Sequence, residues 1–393
     1  MSTLKVDAIR HNSATSDAIT TASDGTCTAK LTSVGGSQLS HRNIIINGDM
    51  RVAQRGVSTT SNGYGFVDRF QTSLGSLSTG GNVTRSQESL SSSDTGPWQA
   101  GFRKYARMAT VAAGTANANG YIEIYTHLEA QDIANSGWDY LSASGKITLS
   151  FWFRCSANQT FYAYLRSRDG TSQAYAFSFT ASGNNTWTKI THTIPGNSNL
   201  TFDNNNDSGL SLYWTPFFGT DYTNNKTLNT WAAYDQNNQV PDMQTTWLTS
   251  GAATWDITGI QLEVGDTATS FEHKRFSDEL RDCQRYFQKS YNYDDAVGSS
   301  GVQGWFQWRR DGGNRPHIPM MTSMRSTPTF LAYNYVGGTS GQFRNASNGT
   351  NHAQGSVNVI AQNIVSFDGG ATGWNQIGTG EVGFMYYSLE SEL

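Results

Sequence analysis

Between Tyr64 and His273, apolar and polar residues alternate in short runs, each closed by Gly, Ser, Asn or Asp. Examples are GYIEIY at 120–125, KITLSFWFR at 146–154, FYAYLR at 161–166, WTKITHTI at 187–194 and WDITGIQLEV at 255–264. A period of two sends one set of side chains into a core and the other toward water. Runs of this length between turn residues predict antiparallel strands. The fold class expected is all-β: an antiparallel β-jelly-roll sandwich, then a short linker helix and a smaller C-terminal β domain. The helix is read over 276–289, where Ser277 can cap, acids fill the first turn, and Leu280, Cys283 and Phe287 share a face. Strand-like runs return at 304–309, 329–333 and 382–387. Residues 1–41 differ, with two small apolar patches (Leu4, Val6, Ile9; Ile19, Leu31) in a Ser/Thr/Ala/Asp background. Such a segment cannot build its own core and reads as an arm ordered against other chains, with a flexible leader as the alternative. The division expected is 1–41 arm, 42–273 jelly roll, 274–292 linker helix and 293–393 C-terminal β domain.

Composition narrows the function classes. Of 393 residues, 15% are charged and 12% aromatic, and the net charge is −4. Abundant aromatics and a small net charge favour folding over disorder. No Lys/Arg cluster supplies the footprint of a nucleic-acid binder, and no apolar run reaches membrane-spanning length. Partners are therefore expected to include neither nucleic acid nor membrane. Charges sit near residue 1 where a signal peptide would be apolar, so release without Sec export is expected. Cys27, Cys155 and Cys283 lie far apart without motif spacing and read as three free thiols.

Three stretches resemble a family of bacteriophage tail-fibre and receptor-binding proteins, of the marine and cyanobacterial phage type. They are NIIINGDMRVAQRG (43–56) followed by YGFVDRF (64–70), ITGIQLEVGDTATSFEHKRFSDELRDCQRY (257–286), and MRSTPT (324–329) with the final Glu-Leu. The opening MSTLKVDAIRHNSATSDAIT is similar to leaders of phage structural proteins. The resemblance implies a carbohydrate-binding-module-like jelly roll in a homotrimeric virion fibre on the tail or another external appendage. Residues 1–41 would join it to other virion proteins. It implies no particular ligand.

Sugar recognition needs flat apolar faces for the pyranose ring and amides or carboxylates for its hydroxyls. The 200–250 region offers Trp214, Tyr222, Trp231, Tyr234 and Trp247 among Asn224, Asn225, Gln236 and Asp242. The opposing reading is that these aromatics pack the loop or a trimer interface. Trp138 to Tyr140 is a second aromatic candidate, with core packing as its alternative. By analogy with carbohydrate-binding jelly rolls that hold a structural calcium ion, Asp49, Asp68 and Glu263 are the candidate ligands; turn capping is the alternative. Otherwise no cofactor is expected. Carboxylates close in sequence (Glu123, Glu129, Asp132; Asp294, Asp295) carry no catalytic spacing, so a non-enzyme is expected. The functional expectation is recognition of a host-surface saccharide. A purely structural fibre or capsid decoration is the rival, and a polysaccharide depolymerase the third reading. The helix charges Asp278, Glu279, Arg281, Asp282 and Arg285 read as a solvated face with i,i+3 and i,i+4 pairs and, equally, if three copies met on an axis, Leu280, Cys283 and Phe287 would form a trimer contact.

Overall fold

A computed structural model describes residues 6–10, 12–13, 19–24, 27–29, 41–77, 83–311, 317–367 and 374–393. Leu4 and Leu31 of the arm patches lie outside these residues. Within the arm, β1 (Ala8–Ile9), β2 (Ile19–Thr21) and β3 (Cys27–Ala29) form a small antiparallel meander.

The sandwich is built from β4 (Ser58–Thr59), β5 (Gln71–Gly75), β6 (Val83–Ser89), β7 (Lys104–Thr110) and β8 (Tyr121–Glu129). After the one-turn α1 (Ala130–Ala134) it continues with β9 (Lys146–Cys155), β10 (Asn158–Ser167), β11 (Gln173–Ser182), β12 (Thr188–Pro195), β13 (Ser208–Phe218) and β14 (Trp231–Ala233). Short α2 (Thr246–Thr249) precedes β15 (Thr254–Val264). Two six-stranded antiparallel sheets result, in the orders β14-β11-β10-β13-β8-β5 and β12-β9-β15-β7-β6-β4. The fold is thus all-β, an antiparallel β-jelly-roll sandwich.

The alternation seen in the sequence is the alternation of faces. Ile122 and Ile124 of β8, Leu210, Leu212 and Trp214 of β13, and Leu149, Phe151 and Phe153 of β9 all lie in one buried cluster between the sheets. Phe151 meets Phe179 and Trp214 edge-on, at 5.3 and 5.9 Å between ring centres. In β15 the parity changes. Ile257 and Ile260 both enter the core because the pairing register with β9 shifts between Thr258 and Gln261. Gly259 occupies the shift at φ +64, and a Cβ there would meet the Phe102 ring at 2.6 Å.

The helix α3 (Phe276–Gln284) is shorter than the sequence pattern suggested. Phe287 belongs instead to the strand β16 (Phe287–Lys289). Cys283 and Phe287 are buried within the chain itself, so the expected axial stripe is not free to meet other helices. The remaining strands are β17 (Phe306–Arg309), β18 (His317–Pro319), β19 (Thr329–Tyr333), β20 (Gln342–Asn345), β21 (Asn351–Ala353), β22 (Val357–Ala361), β23 (Ile364–Phe367) and β24 (Val382–Glu390). Strands β16, β17, β19 and β20 all pair with β24, and β18, β23 and β22 make a separate small sheet.

A dense polar junction joins the sandwich to this second unit. Glu129, at the end of β8 and fully buried, accepts from Arg285 Nε (2.6 Å) and Nη2 (2.7 Å), Tyr286 Oη (2.5 Å) and Gln131 Nε2 (2.6 Å). Arg69 pairs with Glu392, donates to the His127 carbonyl at 2.7 Å and lies 3.4 Å over the Tyr286 ring. Asn47 adopts φ +61, and its amide nitrogen donates to Val52 O and Asp68 O, while its backbone N–H donates to Glu279 at 2.5 Å.

Candidate functional site

On the outer face of the first sheet, register lines up side chains that are far apart in sequence. Tyr125 of β8 stands opposite Tyr213 of β13, which stands opposite Tyr164 of β10, which stands opposite Ala176 of β11. The three rings stack, with Tyr164 and Tyr213 4.5 Å apart and nearly parallel, and Tyr213 and Tyr125 4.8 Å apart. In the next row His127 faces Ser211 and Ser211 faces Arg166. This face is built by parity. Residues 121, 123, 125 and 127 of β8 point outward because 122 and 124 point into the core.

A cleft of about 240 Å³ opens on this face. Tyr121 and Glu123 of β8, Tyr164 and Arg166 of β10, and Tyr213 of β13 line it, with Tyr222 from the loop after β13 and Tyr234, Gln236 and Gln239 from the loop after β14. Tyr222 packs edge-on against Tyr121 at 5.6 Å. The Arg166 guanidinium lies 3.5 Å over the Tyr234 ring, and its Nε donates to Ser172 Oγ at 3.1 Å. Tyr164 Oη donates to Gln239 Oε1 at 2.8 Å. Arg168 donates to Ser211 Oγ at 2.9 Å and to Tyr213 Oη. His127 Nδ1 pairs with Ser211 Oγ at 2.6 Å; burial and the charges of Arg168, Arg69 and Arg166 push its pKa down to about 3, so the ring stays neutral.

Glu123 is the unmatched group. Half-buried, it has no hydrogen-bond partner among the described residues, and burial pushes its pKa up to about 7 against the downward pull of Arg168 and Arg166. A carboxylate placed this way is satisfied only by a donor from outside.

The residues expected from the sequence divide in two. Tyr222 and Tyr234 line the cleft, whereas Asp242 is exposed outside its lining, accepting from Thr223 Oγ1 at 2.7 Å. Trp214, Trp231 and Trp247 do not serve it. Trp214 and Trp247 are fully buried in the inter-sheet core, and Trp231 is buried at the sheet edge against Tyr175, its Nε1 donating to Pro195 O at 2.7 Å. Trp138 is likewise core, packed on Tyr140 and Phe202. Asp49, Asp68 and Glu263 have protein partners. Asp49 pairs with Arg51 at 2.9 Å, Asp68 accepts from the Gln54 backbone (2.9 Å) and side chain (2.5 Å), and Glu263 accepts from Gln261 and Thr269. Among the described residues no three His, Cys, Asp or Glu side chains come together in a group that could hold a metal ion. The carboxylates that were close in sequence are dispersed. Glu123 lines the cleft, Glu129 is consumed in the junction, Asp132 lines a separate cleft beside 41–46, and Asp294 and Asp295 line a third. What sequence reading missed was the set Tyr121, Tyr164, Arg166 and Gln239, together with the part played by Glu123. Strict parity within GYIEIY and FYAYLR was the signal that puts four of these on one face.

No protein-family model and no curated protein sequence matches the chain. Among solved structures it is similar to the enzymatically active domain of tailspike protein 4 of bacteriophage CBA120, at 11% identity and TM-score 0.29. The match covers 56% of this chain and only 21% of that one, so the chain spans about a fifth of the tailspike structure. A family 11 carbohydrate-binding module from Clostridium thermocellum, in complex with a mixed-linked tetrasaccharide, matches at 11% identity and TM-score 0.26, over 55% of this chain and 99% of the module. The tandem family 22 modules of Paenibacillus barcinonensis Xyn10C match at 10% identity and TM-score 0.28, over 92% of each chain.

Proposed function

We propose that the chain is a virion fibre protein that recognises a host-surface saccharide through the cleft on the outer face of the first sheet. In this reading it assembles as a homotrimer and joins other virion proteins through residues 1–41. The observation that carries the saccharide assignment is the lining of the cleft. Tyr121, Tyr222 and Tyr234 offer ring surface to the C–H face of a pyranose, and Glu123, Arg166 and Gln236 offer acceptors and donors to its hydroxyls. Hydrolysis by the usual route requires two carboxylates flanking one bond. Among the described residues Glu123 is the one carboxylate lining the cleft, which favours binding over turnover. Weak contacts at each of three copies, multiplied over several fibres, would give avidity without new contacts. The virion setting rests on the resemblance of 43–70, 257–286 and 324–329 to phage fibres.

The test uses the full chain, fluorescently labelled, on candidate host cells before and after surface polysaccharide is stripped. Binding should vanish on stripping and fall by about tenfold in Tyr222→Ala, the order expected for one lost aromatic contact. Incorporation into particles without any cell binding would instead support a structural fibre. Release of oligosaccharide would support a depolymerase.

A further inference from the structure

The polar groups around the cleft are not equally provided for. The Tyr164 hydroxyl is committed to Gln239, Tyr213 Oη receives Arg168, and the Arg168 Nε is committed to Ser211. Among the charged groups of the described residues, two are left open toward the cleft. One is an acceptor, the Glu123 carboxylate, which has no partner among the described residues. The other is a donor pair, the terminal nitrogens of Arg166, whose Nε alone is bonded and whose plane is fixed against Tyr234. A ligand that completes this site must therefore give a hydrogen to Glu123 and accept one from Arg166. A sugar hydroxyl does both. A sugar carboxylate can only accept, so it satisfies Arg166 and opposes Glu123.

From this geometry we infer that Glu123 is a specificity-determining residue that makes the cleft select neutral, hydroxyl-donating saccharides and reject uronate-bearing ones. The inference rests on the saccharide-binding reading and deepens it. Glu123 also gives the selection a pH dependence. The groups acting on it are Arg168 and Arg166, while its own charge is felt by Tyr125, Tyr164, Tyr213, Tyr222 and Tyr234, all neutral phenols around neutral pH. With its pKa pushed up to about 7, Glu123 is charged above that pH and repels a uronate. Below it the protonated carboxyl can donate to a uronate oxygen, and the two arginines then attract the acidic sugar unopposed.

The experiment uses the full chain on an array in which each neutral hexose oligosaccharide is matched with its uronate counterpart, the C6 hydroxymethyl replaced by carboxylate. At about pH 8.5 the protein should bind the neutral member about tenfold or more tightly than the uronate, and at about pH 5.5 that ratio should collapse. Glu123→Gln, which keeps the shape and an acceptor but removes the charge, should show a small ratio that does not change with pH. Its thermal midpoint, measured alongside, establishes that the variant is folded. Equal binding of both members by the unmodified protein at about pH 8.5, or a ratio that survives in Glu123→Gln, overturns the inference and leaves saccharide binding standing. Absence of binding to either member of any pair at both pH values overturns the saccharide reading and the inference together.

Discussion

Glu129→Ala should loosen the attachment of the C-terminal unit to the sandwich, and the size of the effect follows from what the carboxylate holds. The substitution removes the acceptor for four hydrogen bonds at 2.5–2.7 Å. Tyr286 is 1% exposed, so its hydroxyl is stranded without water, at a cost of about 1–3 kcal/mol. Arg285 is 32% exposed, so its guanidinium can turn to solvent, and its loss is about 1 kcal/mol rather than the about 3–5 kcal/mol of a sealed pair. The sum is about 3 kcal/mol. Urea unfolding followed by tryptophan fluorescence measures it, and a cycle with Arg285→Ala isolates the pair. On the Arg285→Ala background the same substitution should cost about 1 kcal/mol less. There is an acid signature as well. Burial raises the Glu129 pKa, but the hydrogen bonds from Arg285, Tyr286 and Gln131 outweigh it and hold the pKa below the ordinary glutamate value. The contribution is therefore complete above the ordinary value of about 4.5 and is lost as pH falls through the depressed native one. A loss below about 1 kcal/mol, or an identical loss with and without Arg285, would refute the account of the junction.

Two further expectations separate core from cleft and test burial. Trp214→Ala should cost about 3–5 kcal/mol in the same unfolding assay, because it empties a fully buried site between the sheets, whereas Tyr222→Ala should leave stability within about 1 kcal/mol while weakening saccharide binding. In a Cys27→Ser variant, a disulfide reagent should label Cys155 and Cys283 only as fast as the protein unfolds, since burial pushes the Cys155 thiol up to about 12 and Cys283 well above its ordinary range.

The architecture was legible because alternation is a local property. GYIEIY and KITLSFWFR each announce a strand with one buried face, and both are strands of the sandwich. The site was only half legible. Tyr222 and Tyr234 were found because aromatics stood out in a polar loop, but the same reasoning drew in Trp214, which shares parity with Leu210 and Leu212 and therefore points inward. The row Tyr125–Tyr213–Tyr164 depends on the register between residues 88 and 49 positions apart (213 − 125 and 213 − 164), which no single run encodes. The helix ended early because Phe287 is drawn into pairing with β24, a long-range contact that overrides the local pattern. The stretches that carried the family resemblance have their own explanation: Asn47, Gln54, Asp68, Glu279 and Tyr286 build the junction rather than the cleft.

The position of β24 sets the order in which the C-terminal unit can be completed during synthesis. Its first half is flanked by β17 and β20 and its second by β16 and β19, so four strands made earlier all wait for residues 382–390 to emerge from the ribosome. Until then, residues 287–345 present unpaired edges of the kind that invite association between nascent chains. A chain cut just before Val382 would thus leave every one of those partners without its centre. The sandwich repeats the arrangement on its own scale, since its last strand, β15, is also the one that joins β9 to β7.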